Sequence, residues 1–181
     1  MPDRKPQYIL SLDVGGTKLA GALFDSSCRL LRYSRTSTRA GEGAEPVFER
    51  LVQLAQSLLK RQGLEEHALR CVGVGCAGPL DSETGIVHSP PNLHAWEGFP
   101  LKTRLAERLG APVVVENDAN AAALGEHRFG AGQGRRHVFY VTVSTGIGAG
   151  LILDGRVYKY SMDHFGMPLC RVCQQGAKRI A

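Results

Sequence analysis

The sequence predicts an α/β fold on a mixed sheet, with one complete domain and only the start of a second. Three short β-rich runs open the chain with only tight turns between them, which is the pattern of an antiparallel meander. Helical and strand-like periodicities then alternate as far as His127, as in a sheet with helices packed on it. A glycine-rich polar joint follows, before a further strand. A chain of 181 residues with 43% hydrophobic content buries one good core and is short for two full domains.

Taken in order, Tyr8 to Val14, Lys18 to Phe24 and Leu30 to Thr36 read as the meander. In Val47 to Leu59 the apolar residues Val47, Leu51, Leu54, Ala55, Leu58 and Leu59 keep helical spacing. Cys71 to Cys76 is a buried-type strand, Leu101 to Leu109 an amphipathic helix, Val113 to Glu116 a strand, and Ala119 to His127 a third helix. Gly130, Gly132 and Gly134 with Arg135 and Arg136 make the joint. Val138 to Val143, Gly150 to Leu153 and Arg156 to Val157 then begin a second sheet, its last turn made by Asp154-Gly155. The expected domains are therefore 1–136, 137–157 as the start of the second, and a tail, 158–181, with no periodicity and no assigned fold.

The formal charge of +5 is unevenly placed. From Arg156 to Ala181 there are five basic residues and the single acid Asp163, which leaves 17 basic and 16 acidic groups in the rest. The body is thus nearly neutral, which argues against a nucleic-acid partner. No run is long enough to span a bilayer, and Met1 to Gln7 lacks the apolar stretch of a signal peptide. The five cysteines are an odd set, and Cys28, Cys71 and Cys76 lie in or beside strand-like runs, as thiols of a reducing compartment do. A cytoplasmic location is expected.

Three motifs carry the chemistry: DVGGTK at Asp13 to Lys18, ENDANAAALGE at Glu116 to Glu126, and VSTGIGAG at Val143 to Gly150. The first is a hairpin turn, for which Gly-Gly is a common choice. It is equally a phosphate site: Gly15 and Gly16 let oxygens approach the backbone, Thr17 offers a hydroxyl and Lys18 a cation. Asp13 can hold Mg²⁺ through water, since that ion keeps most of its hydration shell. Thr145, Gly146, Ile147, Gly148 and Gly150 form a second such turn, again an ordinary hairpin if seen alone. Two turns, one per domain, can clamp a triphosphate. Asn117 and Asp118 open a helix, where Asp is a favoured cap. A carboxylate held ionised there by the helix dipole also suits a base that takes a hydroxyl proton during attack on a γ-phosphate. The Walker pattern is absent, so any phosphate site is of the hairpin type.

From about Tyr8 to Val157 these motifs resemble the ROK family of sugar kinases and sugar-responsive repressors, and most of all its bacterial glucokinase branch. The meander followed by alternating helices and strands also resembles the ribonuclease-H-like, actin-like ATPase domain, at the level of fold. The resemblance implies phosphoryl transfer from Mg-ATP to a hexose hydroxyl, glucose first, with N-acetylhexosamines or fructose as alternatives. It implies that Asp118 is the base and Asn117 a sugar ligand. Ser89-Pro90-Pro91-Asn92-Leu93 with Trp96 is similar to the family's sugar-side pattern, which makes Asn92 a hydroxyl ligand, and Gly78-Pro79 resembles its other sugar-side loop. Trp96 equally reads as a core anchor, and Glu126 as an ordinary helix residue. Family members are often homo-oligomers.

Beyond Val157 the family continues into G-E-I-G-H, a cysteine-rich zinc motif and most of a second domain, whereas this chain reads Tyr158 to Ala181. A truncated or frameshifted chain is expected, and with it an alternative function: a sugar-side lobe without turnover, binding sugar weakly at most. Cys170-Arg171-Val172-Cys173 does not match the zinc motif, nor does Asp163-His164-Phe165-Gly166 match G-E-I-G-H, so no zinc site is expected. A repressor would need a helix-turn-helix ahead of the first strand, and only seven residues stand there. Gly73-Val74-Gly75-Cys76-Ala77-Gly78 spells a dinucleotide fingerprint. It lacks the helix that must follow, because Gly78 leads into Pro79 and a turn.

Overall fold

In the first strand, β1 (Tyr8–Val14), Leu10, Leu12 and Val14 alternate inward while Ser11 and Asp13 face out, the period-2 pattern of a half-buried strand. The computed structural model describes residues 7–88, 90, 92–143 and 147–159. β2 (Lys18–Phe24) and β3 (Leu30–Ser37) complete an antiparallel meander with β1. β4 (Leu69–Cys76) then pairs parallel to β1, two-residue strands β5 (Leu80–Asp81), β6 (Ile86–Val87) and β7 (Phe99–Pro100) follow, and β8 (Val113–Asn117) pairs parallel to β4. The main sheet has the order β3-β2-β1-β4-β8 and is mixed, as expected.

Helix α1 (Ala44–Arg61) buries a stripe that includes Val47, Phe48, Leu51, Leu54, Ala55 and Leu58. It starts earlier than the apolar pattern alone suggests. Pro46 sits in its first turn, where a missing N–H breaks no helical bond. A Cβ added at Gly21 of β2 would lie 2.8 Å from Leu58 Cδ1, so α1 rests directly on the strand. Helix α2 (Leu101–Leu109) buries Leu101, Leu105 and Leu109 and ends where Gly110 turns left-handed at φ +58°. Two ion pairs join the helices, Arg104 with Glu45 and Arg108 with Glu49, and the Arg104 guanidinium also stacks 4.4 Å from the Phe48 ring centroid. Each large core side chain removed from water contributes about 1.5–3 kcal/mol, so the α1 stripe dominates the adhesion of helix to sheet.

The small sheet β5-β6-β7 has strands too short to show periodicity in sequence. It frames the loop that carries Asn92 and packs over Trp96, which is fully buried and stacked 4.6 Å from Phe99.

The chain divides into two compact units between Asp118 and Ala119, ahead of the joint near 136 where the sequence places the domain boundary. The second unit holds most of α3 (Asp118–Phe129) and the three-stranded sheet β11-β10-β9, made of β9 (Val138–Val143), β10 (Ile147–Leu153) and β11 (Arg156–Val157). Gly150 explains why α3 belongs with this sheet. A Cβ there would meet Ala119 O at 2.5 Å and Ala123 Cβ at 2.6 Å, so helix and strand approach through a bare glycine. Phe139, Val141 and Val143, on one face of β9, are exposed. No helix among the described residues is long and apolar enough to cross a membrane.

Candidate functional site

Parallel pairing of β1, β4 and β8 brings three strand ends abreast: Val14 pairs with Cys76, and Cys76 with Asn117. The carboxyl ends of such strands are where open α/β sheets place their ligands. Each end leads into a segment singled out from sequence: β1 into the Gly15–Lys18 turn, β4 into Ala77-Gly78-Pro79, and β8 directly into α3 at Asp118. The Ala77 N–H donates to Val14 O at 3.0 Å, tying the first two segments together.

Asp13 and Asp118 interact electrostatically across this edge. Partial burial, then the negative charge of Asp118, push the Asp13 carboxyl above its ordinary value, and Lys18 acts in the opposite sense. Asp13 nonetheless keeps contact with solvent. Cys76, fully buried at the end of β4, has its thiol pushed up to about 12 by burial first and then by Asp118 and Asp13. Two carboxylates share one small region with a single lysine, an arrangement that favours a bound cation. Asp118 stands at the first position of α3.

Neither Gly15 nor Gly16 adopts a positive φ, so the usual reason for Gly-Gly in a tight hairpin does not apply here. Space is the reason instead. A Cβ at Gly16 would lie 2.2 Å from Asn92 Cβ and 3.0 Å from Asn92 O, so the turn is pressed against the residue expected to hold sugar. Gly15 is closed more loosely, its N–H donating to Lys18 O at 3.1 Å. Behind the turn lies Thr38, a fully buried polar residue whose hydroxyl donates to Gly15 O at 2.6 Å and whose N–H donates to Thr17 O at 3.0 Å. Arg50 of α1 donates in turn to Thr38 O at 2.6 Å and pairs with Glu42. Sequence reasoning missed Thr38 and Arg50. In a run of Ser, Thr and Arg at a strand end, nothing marks one threonine as buried.

On the other side of the strand ends, Gly78 adopts φ +96°, a conformation that favours glycine. Its carbonyl accepts from Asn117 Nδ2 at 3.2 Å, which draws two expected sugar-side residues together. Asn92 is exposed beside the buried Leu93. Trp96, wholly buried, is a core anchor.

A profile of the ROK family matches residues 9–162 of this chain. The chain belongs to the ROK family. It is 35% identical over 158 residues to a glucokinase of Streptomyces coelicolor, an alignment that covers 87% of this chain and 46% of that one. Among solved structures it is similar to a ROK hexokinase from Thermus thermophilus, with TM-score 0.74, 41% identity, and 90% of this chain and 51% of that one covered. A second is a ROK family glucokinase from Streptomyces griseus in complex with glucose and AMPPNP, with TM-score 0.75, 36% identity, and 85% and 47% covered. The fold is accordingly the actin-like one of ROK sugar kinases. The chain spans about half the length of the curated relatives it matches.

The second ROK glycine motif lies in the other compact unit. Ile147 and Gly148 are not turn residues: they pair with Val143 and Thr142 inside the β9–β10 ladder. Thr145 and Gly146 lie outside the described residues, as do His164, Cys170, Cys173 and the rest of 160–181. Glu126 serves the end of α3, its carboxylate accepting the Ala131 N–H at 3.0 Å. Among the described residues no group of three or more His, Cys, Asp or Glu is placed to hold a metal.

Proposed function

We propose that this ROK protein is an ATP-dependent sugar kinase that transfers a phosphoryl group from Mg-ATP to a hexose hydroxyl, with glucose as the hexose. The observation that carries the proposal is the meeting of Asp13, Asp118 and the Gly16–Asn92 contact at the joined ends of parallel strands. Asp118 is the base, and Asn92, Asn117 and the Gly78 loop address the sugar. Gly15, Gly16, Thr17 and Lys18 hold phosphate, and Thr145, Gly146, Ile147 and Gly148 form the second phosphate contact. The residues present fit Mg²⁺. Asp13 and Asp118 repel one another, so a cation relieves them, and Mg²⁺, which keeps several waters, is held by one or two carboxylates. When bound, Mg²⁺ neutralises phosphate charge; Asp13 would hold it through water. In such transfers the protein mainly positions groups and stabilises charge, which is what rigid strand ends do. A cytoplasmic enzyme fits this chemistry.

A coupled ADP-release assay with glucose tests the proposal, with Asp118→Ala as the decisive variant: loss of a general base lowers turnover by roughly 10²-fold or more. Full turnover in that variant removes Asp118 from its role. The alternative is a sugar-binding unit without turnover, and calorimetry showing glucose binding with no ADP release would select it.

A further inference from the structure

We infer that Thr38, backed by Arg50, is a positioning residue that aims the backbone N–H groups of Gly16 and Lys18 at nucleotide phosphate. This rests on the kinase reading above and extends it to residues that touch no substrate.

The inference follows from peptide geometry. In a trans peptide the C=O and the next residue's N–H point in opposite directions, and the described chain has no cis bond. The Gly15 carbonyl is turned toward Thr38, accepting its hydroxyl at 2.6 Å. The Gly16 N–H therefore points away from Thr38. The Thr17 carbonyl is likewise turned toward the Thr38 N–H at 3.0 Å, so the Lys18 N–H also points away. Thr38 thus faces two carbonyls of the turn at once, and the two N–H groups that follow them point away from it, toward the Gly15 side of the hairpin. N–H groups presented in succession by a turn can make an anion site.

Thr38 is itself held. It follows β3 directly, where Ser37 pairs with Lys18, and its carbonyl accepts Arg50 Nη1 at 2.6 Å. Arg50 is anchored in α1 and paired with Glu42. The arrangement thus runs from a helix buried along one side, through one threonine, to the turn. The N–H bond to Thr17 O extends the β2–β3 ladder by one rung, whereas the hydroxyl bond to Gly15 O is the side chain's own and reaches the start of the turn. A hydroxyl with no partner in the core is costly, and here it is matched to a carbonyl that an ordinary hairpin would use to close on itself.

The test is titration of Mg-AMPPNP into the full chain by calorimetry, for wild type, Thr38→Val, Thr38→Ser and Arg50→Gln. Valine keeps the branched shape and removes the hydroxyl; serine keeps the hydroxyl. Thr38→Val is expected to weaken nucleotide binding by roughly five- to tenfold, the worth of about one hydrogen bond, with glucose affinity held within about twofold. Thr38→Ser restores binding, and amide exchange at Gly16 and Lys18 is faster in the valine variant alone. If Thr38→Val does not fold, Arg50→Gln carries the test with a smaller loss in the same direction. Unchanged nucleotide affinity in Thr38→Val, with wild-type binding intact, overturns this inference and leaves the kinase reading standing. Wild-type protein that binds no nucleotide overturns both.

Discussion

Gly16→Ala is the sharpest probe of how the turn and the Asn92 loop meet. The new Cβ falls 2.2 Å from Asn92 Cβ, 3.2 Å from Asn92 Cγ and 3.0 Å from Asn92 O. Carbon atoms rest at about 3.5–4.0 Å, so one of the two segments must retreat by more than an ångström. Neither does so cheaply. The turn is bonded to Thr38 at both ends, and the loop is pinned by Leu93, 2% exposed, and by the Trp96 N–H donating to Leu93 O at 2.7 Å. Overpacking of this order costs about 1–3 kcal/mol, which lowers the melting temperature by about 2–4 °C per kcal/mol for a chain of this size. Trp96 is the only tryptophan and is fully buried, so its fluorescence reports urea unfolding of this unit. Asn92→Gly in the Gly16→Ala background removes the clashing Cβ and Cγ, and a double-mutant cycle should show coupling of about 1 kcal/mol or more. A Gly16→Ala protein within about 0.5 kcal/mol of wild type, with an additive cycle, would mean that turn and loop are not in contact.

Three further outcomes are expected. Cys76, its thiol raised from 9.0 to about 12, should resist iodoacetamide at pH 8 while the exposed Cys28 reacts. Because the folded state holds that proton longer, Cys76 ionisation should erode stability as pH rises from 9 towards 12; peptide mapping that finds both cysteines modified at equal rates would refute its burial. Asp13→Asn should raise the urea midpoint at pH 7 while weakening Mg-nucleotide binding. The folded-state pKa is raised, so the folded protein binds more protons than the unfolded one above pH 3.8 and stability falls as pH rises through that window. The gain should vanish below the ordinary carboxylate pKa, and a lower midpoint at pH 7 would contradict it. Gly125, inside α3, has nothing within 4 Å of an added Cβ, so Gly125→Ala should stabilise the second unit by about 0.5–1 kcal/mol; a lower melting temperature would place a neighbour there.

Local patterns were readable from the chain, and arrangements that depend on distant pairing were not. α2 and β9 appear with the bounds that periodicity gives them, because each pattern is complete within its own segment, and β11 appears where the Asp154-Gly155 turn places it. β10 starts at Ile147 rather than Gly150 since glycines in a strand look like turn residues until their packing is known. The strands β5, β6 and β7 are two residues each and leave no alternation to detect. At the site, Asp13, Gly16, Asn92, Asn117 and Asp118 could be named from motifs. That Gly16 serves contact rather than turn chirality is visible only when Asn92 is in place. Thr38 is the clearest omission, since burial and two bonds to one turn are properties of the assembled sheet.

The abreast strand ends have a further consequence for how the protein is made. Asp13 and Asp118 stand 105 positions apart, and Cys76 comes from a third segment between them. A nascent chain that has released the meander and α1 can bury much of its core, yet has only one of the three ends. Parallel strands wait for their crossovers, and non-local pairing of this kind is slow. The candidate site therefore assembles late and all at once, when β8 docks beside β4. Until then the growing chain presents an unpaired β4 edge, and that interval, more than the finished fold, is when it is open to misassociation.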